Sequence, residues 1–345
     1  MGVPTEGMSY KQIVDKFGVV DDLLPSVQEE RFVQQILGPE FHYKRLELIP
    51  GMGEDGIERH KLACTAIIEK GGRIRARDLA KVWVRDINPE YFGYHLGPQD
   101  QVIYYLMKIN FPTTEVGRYA VWPGFIGTSM MMLPIGIVNA GNPEQAAQDA
   151  IEVGQIKDIR QHPGNYALEV AAAVASAVAE ALKSDATLRS VTEAALSCLS
   201  ELPRKEVEYG LQIANKCKSV SSARVLLSEK YEGKRAAHAP EVLTEALTTL
   251  NLTQGDPRET ILGSANFGRD TDCQAYIAGG IAGALKGIQL VPGKWIQTVN
   301  HATEIDPYTV SKRTLDEEAK GLHVALKNNI AILRRQIELI ETQDS

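Results

Sequence analysis

Ser264-Ala265-Asn266-Phe267-Gly268-Arg269-Asp270-Thr271-Asp272-Cys273 leads into Ala278-Gly279-Gly280-Ile281-Ala282-Gly283-Ala284-Leu285. The first stretch reads as a loop ending on two carboxylates. The second reads as a helix whose missing side-chain bulk lets it lie close against a neighbour. Two acids two residues apart at a loop-to-helix junction can converge on a hard cation where the backbone is not yet regular helix. Mg²⁺ favours such oxygen donors, often a few carboxylates plus waters. Read alone, the same residues serve equally well as a helix cap (Asp270) and a first-turn carboxylate favoured by the helix dipole (Asp272).

Outward from this stretch the pattern is helical. Apolar residues recur at helical spacing in Leu62–Lys70, which stops at Gly71-Gly72, and in Asp78–Asp86, which ends before Asn88-Pro89. Pro143 suits the first turn of a helix over Glu144–Ile156, with Asn142 as its cap. Asn165–Lys183 contains Ala171-Ala172-Ala173 and is expected to make close contacts in a crowded interior. Leu188–Leu199, Pro203–Lys216, Ala239–Leu250, Asp272–Lys286 and Leu315–Ile340 extend the pattern. Strand alternation is scarce, and Lys44–Ile49 and Ile288–Val291 are too short to define a sheet. The expected fold class is all-α, a single domain over residues 1–345; a two-domain α protein competes, although no linker separates halves.

Composition bounds the function. Of 345 residues, 44% are hydrophobic and 23% charged, ordinary values for a globular protein with a real core. Lys+Arg of 37 against Asp+Glu of 44 leaves a net charge of −7, which argues against a surface built to neutralise nucleic-acid phosphates or anionic lipid. Cys64, Cys198, Cys217 and Cys273 have neither CxxC spacing nor the density of a disulfide scaffold, so the cytoplasm is the default compartment. The longest apolar run, within Ala171–Leu182, is broken by Ser176 and Glu180 and falls short of the ~20 residues of a membrane span. Met1-Gly2-Val3-Pro4 lacks the features of a signal peptide, and Glu341–Ser345 reads as a polar, frayed end.

A second acidic pair stands far upstream, in Pro50-Gly51-Met52-Gly53-Glu54-Asp55-Gly56-Ile57-Glu58-Arg59-His60. Brought close by folding, Glu54 and Asp55 supply the other wall of a metal site; otherwise they form an acidic first turn. In Gly124-Phe125-Ile126-Gly127-Thr128-Ser129-Met130-Met131-Met132-Leu133-Pro134-Ile135-Gly136, the residues Gly127, Thr128 and Ser129 offer amides and hydroxyls ahead of an apolar helix, an arrangement able to receive phosphate oxygens. The three methionines read as core filling. Trp122, Phe125 and Tyr166 are either base-stacking neighbours or core aromatics, and Arg269 is either an anion ligand or a packing ion pair.

Taken together and in this order, the segments resemble the ADP-ribosylglycohydrolase family, which includes the dinitrogenase-reductase-activating glycohydrolases. Asn266–Cys273 and its Gly/Ala-rich helix resemble that family's C-terminal metal motif. Gly53–Gly56 stands where the family has Thr-Asp-Asp-Thr, and Met130–Gly136 followed by Asn139–Ala147 resembles its central segment. His162 falls where many members have a histidine near bound ADP-ribose. Gly2–Met8 resembles the end of an N-terminal motif whose glutamate, here Glu6, is catalytic. The resemblance implies an orthogonal multi-helix bundle with two Mg²⁺ ions in a cleft. It implies metal ligation by Glu54, Asp55, Asp270 and Asp272, and catalysis by Glu6, Asp55 and Asp270. Substrate contacts fall to Gly127, Thr128, Ser129 and His162. The implied activity is hydrolysis of an N-glycosidic bond in an ADP-ribosyl or related ribosyl compound, free or on a protein, with no nucleic-acid or membrane partner.

The match departs from the family at several positions. Gly53 and Gly56 replace hydroxyl side chains, Glu54 is one methylene longer than the usual aspartate, and Cys273 replaces a threonine or serine. Thiolate suits Mg²⁺ poorly, so Cys273 is expected to point away or to weaken one metal position. Phe125 and Thr128 replace common glycines and Met131 a common arginine, narrowing the approach to a diphosphate. The family helix ahead of Glu6 has no counterpart before Gly2, which leaves the placement of Glu6 open. These departures motivate a rival expectation, a non-catalytic member that binds a nucleotide-like ligand.

Overall fold

A helix that is apolar on every side belongs in an interior, and the alanine-rich segment obeys: in Ala167–Ala181 every residue except Glu169 is buried. In this computed structural model, which describes residues 1–28, 44, 46–159 and 164–341, that helix is the centre of an all-α molecule. In chain order the described helices are α1 (Tyr10–Phe17), α2 (Asp55–Lys70), α3 (Ala76–Asp86), α4 (Pro98–Lys108) and α5 (Met132–Val138). Next come α6 (Pro143–Gly154), α7 (Ala167–Ala181), α8 (Leu188–Ser197), α9 (Glu201–Lys216) and α10 (Val220–Tyr231). The last five are α11 (Ala239–Leu252), α12 (Pro257–Ala265), α13 (Thr271–Lys286), α14 (Gly293–Ile305) and α15 (Leu315–Glu341). Among the described residues the only sheet is an antiparallel pair, β1 (Ser26–Gln28) and β2 (Leu46–Leu48), with Val27 opposite Glu47.

Small residues set the spacing of the layers. A Cβ on Gly136 of α5 would lie 2.6 Å from the Ala175 carbonyl oxygen and 2.6 Å from Val178 Cβ, so α5 crosses α7 at backbone contact. Gly279 of α13 meets Ile261 of α12 in the same way, and Gly210 of α9 meets Thr244 of α11. A second interior helix, α11, is buried without a break from Ala239 to Leu250. One contiguous apolar cluster runs from Leu62 to Ala325 and includes Met130, Met131 and Met132, all fully buried, so the methionines are core. No described helix is long and apolar enough to cross a membrane.

Helix ends follow the chemistry of the sequence. Gly71 closes α2 in the left-handed region at φ +68°, and the Asn142 side chain accepts from the Gln145 amide to start α6. Ile288–Leu290 is a single 3-10 turn, whereas the central part of Lys44–Ile49 is strand β2. A short apolar run does not distinguish these outcomes.

Candidate active site

The turn before α13 carries two consecutive residues with positive φ. Gly268 has φ +105°, and a Cβ there would lie 2.8 Å from the Tyr10 amide nitrogen. Arg269 follows at φ +67°, a region that non-glycine residues enter at a cost of roughly 1–3 kcal/mol. Its guanidinium is anchored on the Glu241 carboxylate and donates to the Lys234 carbonyl at 2.9 Å. Arg269 is therefore a packing ion pair that holds the strained turn.

That turn delivers Asp270 and Asp272 into the interior, 4% and 9% exposed. Asp270 occupies the N-cap position of α13, yet its side chain makes no capping hydrogen bond. Oδ1 of Asp270 and Oδ1 of Asp272 are both buried with no hydrogen-bond partner among the described residues. Leaving such atoms unpaired is costly. Burial first, and the neighbouring carboxylate second, push Asp270 well above the ordinary range; burial raises Asp272 as well, with Asp55 adding to it. Ligand atoms of Asp270, Asp272 and Cys273 lie within 4.8 Å of one another, and Cys273 Sγ is 3.6 Å from Asp272 Oδ2. The expectation that Cys273 turns away is thus corrected. It lies three residues beyond Asp270, on the same face of the helix, and that geometry overrides its poor affinity for hard cations.

The N-terminal turn is clamped onto the same junction. Thr5 Oγ1 donates to the Ala265 carbonyl at 2.7 Å, and Thr271 Oγ1 donates to the Gly2 carbonyl at 2.9 Å. The Gly7 amide donates to the Arg269 carbonyl and the Arg269 amide to the Met8 carbonyl, both at 2.7 Å. This two-bond ladder holds Glu6 beside the acids. Burial, then Asp272, Asp270 and Asp55, raise Glu6 well above its usual value.

Glu54 and Asp55 approach from the other side. Glu54 caps α2, its carboxylate accepting from the Gly56 amide at 2.7 Å and the Ile57 amide at 3.2 Å. A Cβ on Gly56 would lie 2.5 Å from Met130 Cε and 2.7 Å from Glu54 Oε1, so glycine is what lets the cap fit. Glu54 and Asp272 open onto one cavity of about 240 Å³, whose walls include Met52, Ile57, Tyr276 and Trp295. The two acidic turns, more than two hundred residues apart in sequence, therefore face a common space. Glu54 is raised well above its usual value by burial, with Asp55 and Asp272 next in effect.

Asp55 has a counter-ion that the sequence did not disclose. Arg59 Nη1 donates to Asp55 Oδ1 at 2.8 Å and Nη2 to Asp55 Oδ2, while Nε and Nη2 grip Asp100 at 2.9 and 2.8 Å. Lys157 Nζ, fully buried, reaches Asp100 Oδ1 at 3.2 Å. These four charges sum to zero, and Arg59 and Lys157 together hold Asp100 below the ordinary carboxylate range despite its burial. The site of Gly127 borders this network, a Cβ there lying 3.5 Å from Arg59 Nη1 and 3.8 Å from Lys157 Nζ.

The predicted hydroxyl pair beside Gly127 is turned inward. Thr128 Oγ1 donates to Asp158 Oδ2 at 2.7 Å, and Ser129 is fully buried. Asp158 also accepts from the Gly124 amide and from Asn165 Nδ2, which ties the loop down. On that loop Trp122 and Phe125 stack at 6.1 Å between centroids, and the Arg235 guanidinium lies 4.5 Å from the Phe125 centroid. His162 lies outside the described residues.

A helical bundle with a cavity lined by Glu54 and Asp272, carboxylates from two separate turns, defines a class of acid-centred, all-α proteins. The model of the ADP-ribosylglycohydrolase family matches residues 1–324, and the chain belongs to that family. A solved structure described as an ADP-ribosylglycohydrolase-related protein complex is similar over 94% of this chain and 91% of that one. It has a TM-score of 0.61 and 18% identity, a likeness of fold. No curated protein matches the chain.

Proposed function

We propose that this protein is a hydrolase that breaks the N-glycosidic bond of an ADP-ribosyl or related ribosyl compound, with Mg²⁺ as its cation. The single observation that carries the reading is the pair of buried, unpartnered carboxylate oxygens on Asp270 and Asp272, with Asp272 sharing one cavity with Glu54 and both acids acting on Glu6. Orphaned carboxylate oxygens fit a hard divalent cation, and oxygen donors are what Mg²⁺ takes. Asp270, Asp272 and Glu54 would hold it; each carboxylate oxygen of Glu54 keeps a second lone pair beyond its capping bond. The cation's contribution is positive charge that fixes ribose hydroxyls and offsets charge at the reacting centre.

The remaining chemistry falls to the chain itself. Glycoside cleavage passes through an oxocarbenium-like state, so a carboxyl group poised between protonation states is an advantage. Glu6, raised by burial and then by the acids around it, accepts a proton from the water that adds to the anomeric carbon. It returns a proton to the departing nitrogen, balancing the hydrolysis. Asp55 positions Arg59, whose guanidinium borders the open space at Gly127. The Trp122–Phe125 pair offers a flat surface for a base, a contact worth about 1–3 kcal/mol elsewhere. Turnover of ADP-ribosyl-arginine, O-acetyl-ADP-ribose and simple nucleosides, with and without Mg²⁺, tests the reading. Uniform inactivity of folded protein across that panel would refute it.

One observation favours a second reading. Both oxygens of Asp55 are taken by Arg59, and Glu54 is already a helix cap. A non-catalytic member that binds a nucleotide-like ligand would tolerate both. Calorimetry separates the two: binding indifferent to Mg²⁺ and to Asp270→Asn favours the binding module.

A further inference from the structure

A second group of potential ligands lies behind the wall of the acidic cavity, on the far side of Tyr276. His60 and Cys64 sit one turn apart on the same face of α2, and Glu318 reaches them from the first turn of α15. One ligand atom from each lies within 4.8 Å of the others. Cys64 Sγ is 3.3 Å from His60 Nε2, and His60 Nε2 is 3.9 Å from Glu318 Oε2. With metal–ligand bonds of 2.0–2.3 Å, a tetrahedral zinc site has ligand–ligand edges of roughly 3.3–3.8 Å.

Cys64 and His60 share a hydrogen bond, and Glu318 is the member of the group left without a partner. Glu318 is 6% exposed, and its Oε1 is buried with no hydrogen-bond partner among the described residues. The 3.9 Å separation from His60 is too long for a hydrogen bond. The two cations that act on Glu318 bond elsewhere: Lys61 to Glu58 and Thr309, and Arg313 to Thr65 and Ser311. The His60 ring is oriented from behind, its Nδ1 paired with the Tyr276 hydroxyl at 2.7 Å, which leaves Nε2 facing Cys64 and Glu318. Metal-binding histidines are typically fixed in this way through the second ring nitrogen.

We propose that His60, Cys64 and Glu318 form a three-ligand site for Zn²⁺ that fastens α15 to α2, with water as the fourth ligand. One thiolate, one imidazole and one carboxylate make a borderline-soft donor set that selects Zn²⁺ over Mg²⁺. As the Zn–S bond forms the Cys64 thiol releases its proton to solvent, with no change of oxidation state, so no other reactant is needed. The site is independent of glycoside cleavage and survives if that reading fails.

The test uses Co²⁺ as a spectroscopic probe on the full chain under reducing conditions. A thiolate-to-cobalt charge-transfer band that saturates at one equivalent and is erased by Zn²⁺ is expected. Cys273 also lies near carboxylates, so Cys273→Ser and Cys64→Ser are compared: the band persists in the first and is lost in the second. Should Cys64→Ser not fold, the near-isosteric Glu318→Gln weakens Zn²⁺ at least about tenfold, read by competition with a chromophoric chelator. No band, a band that persists in Cys64→Ser, or unchanged affinity in Glu318→Gln overturns the proposal.

Discussion

Asp270→Asn should make the metal-free protein more stable, an unusual result for a substitution at a buried polar position. Asp270 and Asp272 have ligand oxygens within 4.8 Å of one another and no counter-ion of their own. At an effective dielectric of about 20, two unit charges no farther apart than that limit repel by at least roughly 3.5 kcal/mol when both are ionised. Relaxation leaves part of this, so the expected gain is about 1–3 kcal/mol, or roughly 1–4 °C in Tm for a chain of this size. Saturating Mg²⁺, at about a hundred times its Kd, should add ~2.7 kcal/mol to the wild type and little to the variant, so the order of stability narrows or reverses. The pH dependence has a definite sign. Asp270, Asp272, Glu6 and Glu54 are all raised in the folded state, so the folded state binds more protons than the unfolded one. Their destabilisation is absent below the ordinary carboxylate range and grows as pH rises through the raised values. Metal-free wild type should lose stability on that climb more steeply than Asp270→Asn. Thermal melts from pH 4 to 9, with chelator or with Mg²⁺, measure both effects. A variant that is less stable without metal, with Mg²⁺ shifting both proteins equally, refutes the reasoning.

Four further outcomes follow from other contacts. Glu6→Gln should lower ribosyl-bond turnover by about 10²–10⁴ while leaving the Tm at or above wild type, read by steady-state kinetics and melting. Asp100→Ala strands the buried Lys157 and half of the Arg59 contacts, and should cost about 3–5 kcal/mol in chemical denaturation. Thr128→Val leaves an Asp158 oxygen without its donor and should cost about 1–3 kcal/mol, seen as a lower urea midpoint with unchanged slope. Gly136→Ala forces a methyl to within 2.6 Å of the Ala175 carbonyl oxygen and should cost about 1–3 kcal/mol in the same assay.

The sequence was most legible where a local rule acts alone. Ala171-Ala172-Ala173 announced a crowded interior and lies fully inside it, and Asn142-Pro143 and Gly71 marked helix ends by cap chemistry. Helices α1, α4, α10, α12 and α14 are not legible from apolar spacing: Tyr104-Tyr105, for one, suits strand as well as helix, and Gly293 starts α14 without a side-chain cap. The acid pairs were visible as motifs because each is local. Arg59, Asp100 and Lys157 were not, because their partnership spans 41 and 57 residues and exists only after packing. Only its place in the first turn of α4, where its carboxylate accepts from the Gly97 amide at 3.2 Å, marks Asp100 locally as structurally committed. Thr128 was read as open to a ligand for the same reason: nothing local reveals Asp158 beneath it. Cys273 was judged by its affinity for metals, whereas helix periodicity decides where it points.

Diffraction from crystals soaked in Mn²⁺, used as an anomalous stand-in for Mg²⁺, addresses the acidic cavity most directly. A single strong anomalous peak is expected within bonding distance of the Asp270 and Asp272 carboxylates, on the side facing Glu54, and it should vanish in Asp270→Asn. Saturated crystals showing manganese only at surface acids, with both Oδ1 atoms still bare, would contradict the cation-binding account.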